Sequence, residues 1–123
     1  MENFIIGFSQ ILSVETLAIL LLGLCLGILF GATPGLSTSM GMAFMLPVTY
    51  AMSPLLAFTM MTGLYIGGTS GGLITATLIG IPGTPASVAT VFDGYPMTKK
   101  GEPGRALGLG IVSSFLGGMI SLV

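Results

Sequence analysis

The chain is a succession of long apolar blocks cut by proline and glycine. Residues 16–30 form a Leu-rich block with no charge. With Gly31 and Ala32 it approaches the roughly 20 residues that a helix needs to cross a bilayer. Glu15 stands just before the block, where an acid complements the positive end of a helix. Gly23, Gly27 and Gly31 recur every four residues and so share one helix face. That spacing lets another backbone approach closely, and helix packing is a better reading of it than a ligand-facing stripe. Residues 2–12 are shorter and mixed, suiting either an interfacial amphipathic helix or the start of the first span.

The blocks that follow are shorter or interrupted. Ala32-Thr33-Pro34-Gly35-Leu36 breaks the first helix, because proline lacks an N–H and disfavours helix at the residue before it. Residues 38–52 then predict a short or re-entrant segment, apolar up to Pro47. Ser53-Pro54 is a helix start, with Ser as N-cap and Pro at the first position. The helix it opens meets Gly67-Gly68-Thr69-Ser70-Gly71-Gly72. Each glycine costs up to about 1 kcal/mol against alanine in a helix, so the cluster predicts an unwound or tightly packed segment and residues 54–80 a discontinuous span. Ile81-Pro82-Gly83-Thr84-Pro85 is a second break, from which a short helix over 85–92 starts. Asp93-Gly94-Tyr95-Pro96 carries turn residues and opens a polar loop over 93–105. A last apolar span covers 105–123. All 123 residues read as the N-terminal part of one transmembrane domain in a longer chain, all-α and polytopic, with broken or re-entrant helices.

Charge reinforces this pattern. The chain is 53% hydrophobic and 6% charged, against roughly 25% charged in soluble domains. No charged residue lies between Glu15 and Asp93. A water-facing surface is normally built from such residues, so this stretch suits lipid as its solvent. The same balance narrows the chemistry. A net charge of −1 without a basic patch argues against nucleic acid as a partner. No His and one Cys, Cys25, leave no transition-metal ligand set and no disulfide framework. No His-based nucleophile can be assembled, so the reading is of a non-enzyme without a cofactor. The N-terminus has no positive region of the kind a cleaved signal peptide needs. The basic residues, Lys99, Lys100 and Arg105, all fall in the polar loop and predict its cytoplasmic placement.

The two breaks share a Pro-Gly step at the end of an apolar helix, each with hydroxyl side chains close by. Backbone that leaves the helix at membrane depth must be enclosed by protein or water. Its free N–H groups then favour anions and its carbonyls favour Na⁺. The candidate substrate-binding residues are therefore Thr33, Pro34, Gly35, Ser37 and Thr38 at the first break. Gly68, Thr69 and Ser70 join them from the glycine cluster, and Pro82, Gly83 and Thr84 from the second break. An anion held by this region has no Lys or Arg to meet it. It would rely on amides, hydroxyls and a bound cation, or on basic residues elsewhere in a longer chain.

Four motifs in order carry a family resemblance. They are Gly31-Ala32-Thr33-Pro34-Gly35-Leu36, then Tyr65-Ile66-Gly67-Gly68-Thr69-Ser70-Gly71-Gly72, then Ile81-Pro82-Gly83-Thr84-Pro85. The fourth is Asp93-Gly94-Tyr95-Pro96-Met97 with Lys100-Gly101-Glu102-Pro103-Gly104-Arg105-Ala106-Leu107. From about residue 16 the chain resembles the N-terminal portion of the large membrane subunit of the tripartite tricarboxylate transporters. The resemblance implies a multi-pass carrier of the bacterial inner membrane, similar to others built from inverted repeats. It also implies a small membrane subunit and a periplasmic solute-binding protein as partners. The substrate would be citrate or a related carboxylate, and the coupling ion Na⁺ or H⁺. The competing reading is a non-transporting membrane assembly subunit in which the glycines serve helix packing alone. A channel would show charge rings or a repeated filter motif, and the sequence has neither.

Overall fold

The computed structural model describes the backbone of residues 2–122 and the side chains of residues 6–122. Met1 and Val123, the outermost positions of the expected domain, lie outside the described residues. The fold is all-α. Among the described residues six helices follow in order: α1 (Glu2–Ile11), α2 (Val14–Ala32), α3 (Thr38–Thr49), α4 (Pro54–Leu78), α5 (Val88–Lys99) and α6 (Pro103–Ser121). A 3-10 turn over Pro85–Ser87 precedes α5.

Each helix begins and ends for a local reason. Ser13 caps α2 by accepting from the Thr16 N–H at 3.3 Å, and Glu15 sits in the first turn. Thr33 ends α2 in an extended conformation, as a residue before proline should. Pro34 and Gly35 then occupy the middle of a tight turn, closed by the Leu36 N–H donating to the Thr33 carbonyl at 3.1 Å. Gly35 has φ +91°, which the third position of a type II turn requires. Ser37 caps α3 through the Met40 N–H. At 12 residues, α3 is about 18 Å long, too short to cross a hydrocarbon core of about 30 Å. Gly80 ends α4 with φ +76°, and Pro82 follows where the chain can no longer be helical.

The expected discontinuity in 54–80 does not occur. α4 is one helix of 25 residues that runs straight through the glycine cluster. Its length of about 37 Å exceeds the hydrocarbon core. The glycines are held by what packs on them. A Cβ on Gly23 would lie 2.5 Å from the Met60 carbonyl oxygen. One on Gly27 would overlap the Leu64 carbonyl, and one on Gly31 the Gly68 carbonyl. In return, Gly63, Gly67 and Gly71 face the carbonyls of Leu20, Leu24 and Ile28. Residue numbers rise together along the two helices, so α2 and α4 run parallel with backbones in contact. In hydrocarbon an unpaired amide costs several kcal/mol, more than the helix penalty of a glycine. Unwinding the cluster would lose both the amide pairing and the packing.

The polar loop is also shorter than expected. Asp93-Gly94-Tyr95-Pro96 is helical, and α5 extends to Lys99 rather than ending near residue 92. Gly94 is buried against Thr77, and Tyr95 covers Gly80. Thr98 Oγ1 ties the helix to α4 by donating to the Thr77 carbonyl at 2.7 Å. Gly101, with φ +88°, closes α5: its N–H donates to Thr98 and that of Glu102 to Met97. This is the paired-bond arrangement of a Schellman ending. The loop therefore reduces to residues 100–102, and α6 starts at Pro103.

Apart from Met60 and Leu64, every buried residue among those described is Gly, Ala, Ser or Thr. Large apolar side chains such as Leu21, Leu29, Phe44, Phe58 and Phe115 point outward. That inverts the order of a soluble protein and matches helices packed in lipid, where small residues line the contacts. α2 and α6 are long and apolar enough to cross a membrane, with mean hydropathies of 2.3 and 1.2.

The parallel contact makes a prediction. Gly63→Ala sets a methyl 2.7 Å from the Leu20 carbonyl oxygen. It should cost about 1–3 kcal/mol and lower the Tm of the purified full-length protein. Gly104→Ala, which meets open space, should leave Tm unchanged.

Candidate functional site

The two Pro-Gly segments converge on the glycine cluster of α4. Thr38, at the first turn of α3, packs its side chain on Gly68. Thr84 packs likewise on Gly72, where a Cβ would lie 2.6 Å from Thr84 Oγ1. Gly83 lies against the Gly31 carbonyl and within 3.0 Å, at its absent Cβ, of Thr75 Oγ1. The chain thus turns back after Gly80, runs extended along α4 to the level of Gly72, and only then enters α5. Lack of side chains on Gly31, Gly72 and Gly83 makes this return possible.

Hydroxyls fill the junction. Thr38, Thr75, Thr84 and Ser87 are all buried. Ser87 Oγ donates to the Thr84 carbonyl at 2.8 Å and accepts from the Thr84 N–H at 3.2 Å. Thr84 Oγ1 approaches Ser87 Oγ at 3.2 Å. These bonds satisfy polar backbone where the helix is absent. Thr75 Oγ1 returns to the Gly72 carbonyl of its own helix at 3.2 Å. Thr38 Oγ1 is buried with no partner among the described residues.

Beside the junction lies a groove of about 670 Å³ between α4, the start of α5 and α6. Its polar lining consists of six hydroxyl residues: Thr69, Ser70, Thr84, Ser87, Thr90 and Ser114. The rest is aliphatic, including Ile66, Leu73 and Ile111. No charged side chain among the described residues lines it. Thr69 Oγ1 is committed to the Ile66 carbonyl at 2.9 Å. Ser70, Thr90 and Ser114 stand on three different helices, and their hydroxyls make no hydrogen bond among the described residues.

The eleven candidate residues divide into three sets. Thr69, Ser70 and Thr84 line the groove. Gly68, Thr38 and Gly83 form the packed junction behind it. Thr33, Pro34, Gly35 and Pro82 lie exposed, and Ser37 is occupied in capping α3. Thr33 Oγ1 donates to its own helix at the Leu29 carbonyl. The structure therefore brings the second break and the glycine cluster to the groove, while the exposed turn of the first break stands apart. Thr90 and Ser114 are groove residues that sequence reasoning missed. Thr90 follows Ser87 by three residues, one helical turn on. Ser114 had only the Ser113-Ser114 pair in an apolar run to mark it.

A family model, described as the tripartite tricarboxylate transporter TctA family, matches residues 17–123. The chain belongs to that family. Members of the TctA family are membrane subunits of tripartite transporters, not enzymes. An uncharacterized 52.8 kDa protein in the TAR-I ttuC' 3' region of Agrobacterium vitis is 36% identical over 120 residues. The alignment takes in 98% of this chain and 24% of that relative, so the chain spans about a quarter of its length. No solved structure matches. Membership of the TctA family is in keeping with the outward-facing apolar side chains.

If Thr84 and Gly72 meet as described, their substitutions must be coupled. Gly72→Ala should lower stability by displacing Thr84, and Thr84→Ala should relieve much of that loss. A double-mutant cycle on Tm should give a coupling of about 0.5–3 kcal/mol; additive losses would mean that the two residues do not touch.

Proposed function

We propose that this chain forms part of an ion-coupled carrier that takes up a tricarboxylate or related organic carboxylate. The observation that carries the proposal is the groove, whose polar groups are all neutral hydroxyls on a largely aliphatic wall. Hydroxyls donate to carboxylate oxygens and also present lone pairs to a small hard cation. An uncharged lining suits a carrier, which must bind its cargo and release it again. Na⁺ or H⁺ is the coupling ion, offsetting the negative charge of the substrate where this region has no Lys or Arg. The partners are a small membrane subunit and a periplasmic solute-binding protein, and the setting is the bacterial inner membrane, crossed several times. Lys99, Lys100 and Arg105 put the α5–α6 loop on the cytoplasmic side. The ends of α2 and α4 near Glu15 and Pro54 then face outward.

A purely structural role accounts for Gly23, Gly27 and Gly63 but not for the groove.

The test is uptake of labelled citrate by cells carrying the complete gene and its partner genes. Thr90→Val and Ser114→Ala should each lower uptake about tenfold to a hundredfold, the value of one hydrogen bond to a charged group, with membrane abundance unchanged. Omitting Na⁺ tests the coupling ion. Normal uptake by both variants would remove the groove from the substrate path. If wild type takes up neither citrate nor any of a panel of carboxylates, the carrier reading fails.

A further inference from the structure

Among the described residues α1 meets no helix but α2, and its position is set by that neighbour. It ends at Ile11, and α2 starts at Val14. Fused, the two would make a helix of about 46 Å, far beyond a hydrocarbon core of about 30 Å. The corner between them is built to prevent fusion. Ser13 caps α2, its Oγ lies 2.8 Å from Thr16 Oγ1, and Thr16 Oγ1 donates to the Gln10 carbonyl at 3.0 Å. Thr16 is buried at this corner. α1 is therefore tethered, through two residues, to the boundary where a membrane span begins.

Its surface matches such a boundary. Phe8, Ile11 and Leu12 follow a helical spacing of three and four, share one side, and are more than half exposed. Ser9 and Gln10 occupy the other side, together with Ile6. At ten residues, α1 is too short to span. The first 15 residues hold Glu2 and Glu15 and no Lys or Arg, so anionic headgroups offer it no attraction.

We propose that α1 lies in the plane of the bilayer at the N-terminal boundary of α2, inserting Phe8, Ile11 and Leu12 into the acyl boundary by hydrophobic contact alone. It anchors the end of α2 by this contact. The inference rests on α2 being a membrane span and not on the transport reading, so either can fail without the other.

The experiment uses the full-length protein in vesicles, with Cys25 and any other cysteine replaced. Single nitroxide labels go at positions 8, 9, 10, 11 and 12. Labels at 8, 11 and 12 should meet dissolved oxygen more than a water-soluble nickel complex, and labels at 9 and 10 should reverse that ratio. The pattern should be the same in zwitterionic vesicles and in vesicles containing anionic lipid. Oxygen preference at all five positions would make α1 part of a span and overturn the proposal. Protection from both reagents would mean that protein covers α1, and nickel preference throughout would put it in water; either result also overturns it.

Discussion

The backbone contact between α2 and α4 is the constraint on which the rest depends. Three glycines on each helix face carbonyl oxygens on the other, without an intervening side chain. In lipid no hydrophobic force draws helices together, so close packing must supply the attraction. The contact keeps α4 straight through a stretch whose propensity argues for unwinding. It also leaves the flank of the cluster, at Gly68 and Gly72, to receive Thr38 and Thr84. One set of glycines holds the helices together and a second set admits the break segments.

The groove follows from that arrangement. The segment after Gly80 can run back along α4 only because Gly83 and Gly31 carry no side chains to collide. Its return brings Thr84 and Ser87 to the level of Ser70. α6 completes the wall with Ser114, and Gly110 meets Leu73 where α6 and α4 come closest. At Gly83, Thr84 and Ser87 the irregular backbone is buried against protein and bonded to its own hydroxyls, as membrane depth demands.

Much of this was legible in the sequence, for identifiable reasons. The repeat of Gly23, Gly27 and Gly31 announces a packing face whatever the partner is. The Thr33-Pro34-Gly35 step marks its turn through local chemistry alone. The glycine cluster misled because propensity is local while its partner, α2, lies some 40 residues away. Asp93–Pro96 misled in the same way: Gly94 serves a contact with Thr77, and Tyr95 caps Gly80, neither of which a turn rule can see. Thr90 and Ser114 were invisible because a lone hydroxyl in an apolar run has no meaning until another helix faces it.

The proposed carboxylate site has the glycine-held α4 as one wall of its uncharged groove. The most direct measurement is alkylation of Ser114→Cys in the full-length protein, with Cys25 replaced, by a water-soluble maleimide in native membranes. The account predicts that the thiol reacts and that the transported carboxylate slows the reaction. A thiol that does not react, or one that reacts at the same rate with and without the carboxylate, would contradict it.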